Sequence, residues 1–201
     1  MINALLLIFE PVSTWERMFR TRRGMLFVLL ADLFPMLILS GAAEGYGLVR
    51  WGKRLGEVGR LKLFTPNEAV IFELAQMVLY LAVVAACAQI LKSMCDTFYG
   101  RHKYPQAFST IVYGLSPLFL FRLLDAIPGM SPWVSWSIGI LLSIGVLYQG
   151  LPRMMEPDPP HAFGLYLMNS LIMLLATGLM RLVTAGYLQG KFGNLQTLIA
   201  G

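Results

Sequence analysis

Charge is what this sequence has least of. Only 13% of its 201 residues are Asp, Glu, Lys or Arg, roughly half the share of an ordinary soluble domain. That shortage excludes a soluble globular protein, because 57% hydrophobic residues and a mean hydropathy of +0.65 exceed what one core can bury without lipid as solvent. Cysteine is nearly absent too. Cys87 and Cys95 fall on one expected helix, eight residues apart, which is roughly 12 Å and beyond disulfide reach. With no other Cys nearby they make no metal site and read as packed thiols.

Catalytic signatures are also missing. There is no His-Glu-x-x-His, no Gly-x-Ser-x-Gly and no phosphate-binding glycine loop. His102 and His161 each lie in a connection beside a helix start. Glu156, Asp158 and His161 would need the intervening prolines to fold back before they met at a metal, so they read as solvated loop charges with a helix cap. Asp32 and Asp125 lack the flanking glycines of an intramembrane aspartyl protease. No enzyme activity, cofactor, metal or nucleic-acid partner is expected; the lipid bilayer is.

What is present is a succession of apolar helices. The pattern predicts an all-α polytopic transmembrane bundle of five helices, with spans at about 24–43, 66–94, 105–126, 132–151 and 159–188. A short interfacial segment, 1–23, precedes this domain of 24–190, and a tail, 191–201, is too short to fold. Residues 4–9 are apolar, but no basic residue precedes them and no small-x-small site follows, so the start reads as mature protein. Ser13 and Glu16 have capping-box spacing after the breaker Pro11. Trp15, Arg17, Arg20, Arg22 and Arg23 suit headgroup depth.

Span 1 carries Asp32, a carboxylate that must face the bundle or take up a proton, and Pro35, which frees a carbonyl one turn back and predicts a kink there. The long connection 44–65 has basic, amphipathic spacing, but its glycines favour a loose surface loop over a surface helix. Thr65-Pro66-Asn67-Glu68 starts span 2 with a cap and a proline at the first helical position. Late in span 3, Arg122 and Asp125 stand three apart on one face, where they can pair. Ser131-Pro132 caps span 4, opened by Trp133 and Trp136. Gly139-x-x-x-Ser143 gives it the small-residue spacing of close helix contact, so it is expected to be the most buried helix. Asp158 is placed to cap span 5, and Arg181 to snorkel outward.

Five spans put the termini on opposite sides. Lys and Arg number eight on the N-terminal side (positions 17, 20, 22, 23, 92, 101, 103 and 153). They number eight on the other (50, 53, 54, 60, 62, 122, 181 and 191), so charge leaves the orientation undecided.

Three stretches carry a resemblance. Pro11-Val12-Ser13-Thr14-Trp15 precedes span 1, Tyr113-Gly114-Leu115-Ser116-Pro117 lies in span 3, and Leu147-Tyr148-Gln149-Gly150-Leu151-Pro152 closes span 4. Their order and spacing resemble the Yip1 domain family, in its short bacterial form. The resemblance implies a five-span membrane protein with Tyr113, Gly114, Pro117, Tyr148, Gly150 and Pro152 as motif positions. It also implies a cytoplasmic N-terminus, which for a bacterial member means the inner membrane. Eukaryotic members look like adaptors that associate with prenylated Rab GTPases. The function expected here is a non-catalytic scaffold or adaptor acting through a membrane-protein partner or a homo-oligomer. Physically, Gly114 permits close helix contact, Pro117 leaves the Tyr113 carbonyl without its usual donor, and Ser116 is placed to help satisfy it. The alternative is a transporter or channel subunit that uses Asp32 near the Pro35 kink, with Asp32, Arg122 and Asp125 as the intramembrane polar candidates.

Overall fold

The fold was analysed in a computed structural model that describes residues 2–21, 23–55, 60–97, 103–158 and 161–189. Among these residues, five helices are long and apolar enough to cross a bilayer: Met25–Arg50, Pro66–Thr97, Tyr104–Ala126, Pro132–Met155 and Ala162–Leu188. They are the first to fifth spans below. Two shorter helices, α1 (Ile2–Phe9) and α2 (Pro11–Thr21), precede them. The chain is a multi-pass membrane protein with an all-α bundle, plus one small antiparallel ladder between the first two spans.

Periodicity sets which face of each span turns inward. In the second span Ala69, Phe72, Gln76, Tyr80, Val84, Cys87, Ala88, Leu91 and Cys95 are buried, all three or four residues apart except the adjacent Cys87 and Ala88. Val70, Ile71, Leu74 and Val78 point out, as expected of one helix stripe against a core. At 32 residues this helix is about 48 Å long by its rise, against about 30 Å of hydrocarbon, so it tilts or projects. Its start is a reciprocal cap: the Thr65 amide donates to Glu68 at 2.8 Å and the Glu68 amide to Thr65 Oγ1 at 3.3 Å.

The first span departs from expectation at both ends. Around Asp32 the helix is wound as a π turn, Val28–Leu33, with the Phe34 amide reaching back to the Leu29 carbonyl. The widened turn ends next to Pro35, whose ring cannot follow a tight α turn and which has no N–H to donate. At the far end the helix runs to Arg50, correcting the boundary near 43 and the loose loop over 44–65. Residues 44–50 are helical because the bundle holds them: a Cβ on Gly47 would stand 2.9 Å from the Ala126 Cα, so only glycine lets these backbones touch. Packing overrides glycine's weak helix propensity here. The chain then turns at Gly52 (φ +69°) into a ladder of β1 (Lys53–Leu55) and β2 (Arg60–Lys62) in which Lys53 faces Lys62.

The third span, and not the fourth, is the central helix. Of its most apolar stretch 78% is buried, against 44% for the fourth span. The small residues of the fourth span are used differently from a uniform buried stripe. A Cβ on Gly139 would meet the Leu118 Cα at 2.9 Å and one on Gly150 would enter the Trp15 ring at 2.1 Å, whereas Gly145 faces open space. One side of this helix therefore packs and the other faces lipid. The third span breaks at Leu115, where Pro117 removes a donor and the Ser116 hydroxyl donates to the Tyr113 carbonyl at 2.7 Å. Its last turn, Arg122–Ala126, tightens to a 3-10 helix.

The N-terminal segment is not an interfacial lead-in at Trp15. That side chain is fully buried, its indole N–H donating to the Val146 carbonyl at 3.1 Å and its ring edge-on to Tyr113 at 6.2 Å. Ser13 does not cap α2, which already begins at Pro11; its hydroxyl turns back to Glu10. The fourth span continues through Pro152 to Met155. The fifth starts at Ala162, with the Asp158 backbone carbonyl accepting from the His161 and Ala162 amides. Residues 159–160, in the expected start of that span, and the tail 191–201 lie outside the described residues.

Candidate functional site

Among the described residues, two clusters of charged side chains lie inside the bundle. The larger is built on Arg122, 3% exposed at the 3-10 end of the third span. Its Nε donates to Glu44 at 2.9 Å and its Nη2 to Gln76 Oε1 at 2.8 Å and to Glu73. Nη1 reaches Ser40 Oγ at 3.4 Å, and the guanidinium lies 5.1 Å from the Tyr80 ring centroid. The first span supplies Ser40 and Glu44; the second supplies Glu73, Gln76 and Tyr80. A planar guanidinium with a fork of donors can satisfy several acceptors at once, which a lysine ammonium on a flexible stem does less well.

Beside it, Asp125 accepts from Arg181 of the fifth span and from Ser135 Oγ of the fourth. Arg181 Nε also donates to the Pro132 carbonyl at 3.0 Å. All five spans thus meet in one node of three carboxylates and two guanidiniums. Glu44 Oε1, Glu73 Oε1 and Gln76 Nε2 are buried there without a hydrogen-bond partner among the described residues.

Two expectations are corrected by this geometry. Arg122 and Asp125 do not pair with each other, because each has a better-placed partner on a neighbouring helix. Arg181 does not snorkel: it is 4% exposed and turned inward to Asp125. Glu44, Glu73 and Gln76 were not singled out from the sequence as members of a site. A signal for Glu73 and Gln76 exists, since both lie on an apolar helix near its inward stripe. Glu44 falls in what reads as a loop, and only the extended helix shows it inside.

The smaller site holds Asp32. Tyr113 donates its hydroxyl to Asp32 Oδ2 at 2.8 Å, and Arg23 Nη1 stands 3.7 Å from the same oxygen. Tyr113 precedes Arg122 by nine residues on one span, about 13 Å of helix rise. Asp32 therefore lies apart from Arg122 and Asp125, toward the N-terminal side of the bundle. Among the described residues no group of three His, Cys, Asp or Glu side chains is placed to hold a metal ion.

The three motif stretches come together. Trp15 covers Gly150 and touches Tyr113, while a Cβ on Gly114 would meet Leu147 Cδ1 at 2.6 Å. The sequence model of the Yip1 domain matches residues 5–180. This chain belongs to the Yip1 domain family. No curated protein and no solved structure matches it. In this Yip1 protein the motif positions divide by environment. Tyr113, Gly114 and Gly150 are buried where α2 meets the third and fourth spans, and Pro117 is buried at the break of the third span. Pro152 is exposed, and Tyr148 faces outward against Tyr166, ring centroids 5.1 Å apart.

Replacing Arg122 by methionine removes one cation and leaves Glu44 and Glu73 facing each other in a dry site. Breaking a buried pair from one side costs about 3–5 kcal/mol, so the variant is expected to melt well below wild type in detergent. Arg122→Lys should recover only part of the loss. Equal melting temperatures for all three proteins would contradict the role given to Arg122.

Proposed function

We propose that this Yip1 protein is a non-catalytic membrane scaffold or adaptor that works through a membrane-protein partner or a second copy of itself. The observation that carries this reading is where its intramembrane charge goes. Arg122 and Arg181 are engaged by carboxylates of the chain's own helices, an arrangement suited to holding a shape. Outward-facing Leu74, Val78, Leu171, Leu175 and Leu179 then offer a constant apolar surface to lipid or to another helix. Copurification of the tagged chain from its native membranes in mild detergent is expected to return a membrane protein, or a second copy, in stoichiometric amount. Repeated recovery of a lone monomer, with or without prior crosslinking, would count against the reading.

The orientation that goes with it has the N-terminus in the cytoplasm of a bacterial inner membrane. Burial of Arg122 and Arg181 supports this, since charges paired inside the bundle no longer act as loop charges. Without them the count becomes eight on the N-terminal side against six on the other. With Cys87 and Cys95 replaced, a membrane-impermeant maleimide should label Arg50→Cys in spheroplasts and Glu16→Cys only after lysis. The opposite pattern would reverse the topology.

A transporter or channel subunit is the second reading, favoured by the π turn that carries Asp32 beside Pro35, since such turns concentrate at functional sites. It requires wild-type proteoliposomes to pass ions and Asp32→Asn to stop them. An Asp32→Asn protein that is altered in stability alone would remove its support.

A further inference from the structure

A cavity of about 410 Å³ opens on the N-terminal side of the bundle, where α2, the starts of the first and third spans and the end of the fourth converge. Its volume falls in the range of small-molecule sites, roughly 300–1,000 Å³. The lining is divided. Arg23 and Lys103 each stand just before a span, with Gln106 and Ser109 about one and two turns further in, while Phe19 and Met154 make apolar wall. Both spans start at the same face of the bundle, so the two cations lie together at headgroup depth.

The chemistry on each side is complementary to an amphiphile. Arg23 is held by Asp32 and its guanidinium lies 4.9 Å from the Phe27 ring centroid, yet its side chain remains 35% exposed and lines the cavity. Lys103 is exposed at the rim. The Ser109 hydroxyl donates to the Pro105 carbonyl at 2.8 Å and keeps lone pairs to accept from a hydroxylated headgroup. Gly24 also lines the cavity, and a Cβ built on it meets no atom within 4 Å, so there is open room beside the cations. With two cations at the surface and one carboxylate behind them, the local balance favours an incoming anion.

We propose that this cleft binds the phosphate of an anionic amphiphile, with Arg23 and Lys103 on the phosphate oxygens and the apolar part along Phe19 and Met154. The site does not depend on whether the protein acts as a scaffold or as a transporter.

Native mass spectrometry of the delipidated full chain in micelles tests it, with phosphatidylglycerol, phosphatidylcholine and glycerol 3-phosphate as probes. Phosphatidylglycerol is expected to be retained over phosphatidylcholine. Lys103→Gln should weaken that retention about fivefold, the effect of one basic residue at an anionic surface, and Gly24→Phe should abolish it by filling the cleft. Arg20→Gln, an exposed charge on the same side outside the cleft, should leave retention within a factor of about two by the same reasoning. Thermal melting in the same micelles shows that each variant is folded; if Gly24→Phe is not, Lys103→Gln against Arg20→Gln decides. Retention of the lipid without binding of glycerol 3-phosphate is the expected result; binding of glycerol 3-phosphate as tight as that of the lipid would show that the apolar wall contributes nothing and would overturn an amphiphile as the ligand. Equal retention of the two lipids without binding of glycerol 3-phosphate, or equal losses in Lys103→Gln and Arg20→Gln, would overturn the proposal.

Discussion

A guanidinium placed in hydrocarbon has to find its hydrogen bonds within the protein, and Arg122 finds them on two other helices at once. Apolar side chains alone give little preference for one helix register over another in lipid, because lipid tails are as apolar as leucine. Directional bonds to Glu44, Glu73 and Gln76 do give one. The close backbone approach at Gly47 to Ala126 lies one turn beyond Glu44, and the neighbouring Asp125–Arg181 pair brings in the fourth and fifth spans. The extension of the first span beyond its apolar stretch follows from the same requirement: Glu44 has to be carried on a helix to reach Arg122.

The other end of the bundle is organised by shape. Gly150 removes a side chain so that Trp15 can lie on the fourth span, and the indole N–H, which needs an acceptor once buried, uses the Val146 carbonyl. Tyr113 borders this packing and turns its hydroxyl to Asp32. The stretches that mark the chain as a Yip1 protein are therefore neighbours in space although they are far apart in sequence. Their shared role here is to dock α2 onto the third and fourth spans, next to the cationic cleft.

Much of this was legible in the order of residues. Five apolar stretches, the Thr65–Glu68 cap and the break at Pro117 are local features, governed by hydropathy, by capping groups and by a missing N–H. Ser116 donating to the Tyr113 carbonyl is of the same kind, since the donor and the freed acceptor are three residues apart. The candidate sites were legible in part. Asp32, Arg122 and Asp125 stand out because any ionisable residue in an apolar helix does, but Tyr113, Glu44, Glu73, Gln76 and Arg181, which engage them, sit 46 to 81 residues away in the chain, and no local spacing encodes that.

The amino-acid sequence by itself determined that this chain lives in lipid, how often it crosses and which residues mark its family, because each depends on composition or on contacts within a turn or two. Only the tertiary structure decided that Arg122 and Asp125 look away from each other, that Arg181 turns inward, that the third span is the central one, and that Trp15 belongs to the core. The physical reason is common to all four. A buried charge or an indole N–H goes to the acceptor with the best geometry, and a helix is central when its neighbours surround it. Both are properties of the assembled bundle that no single helix carries.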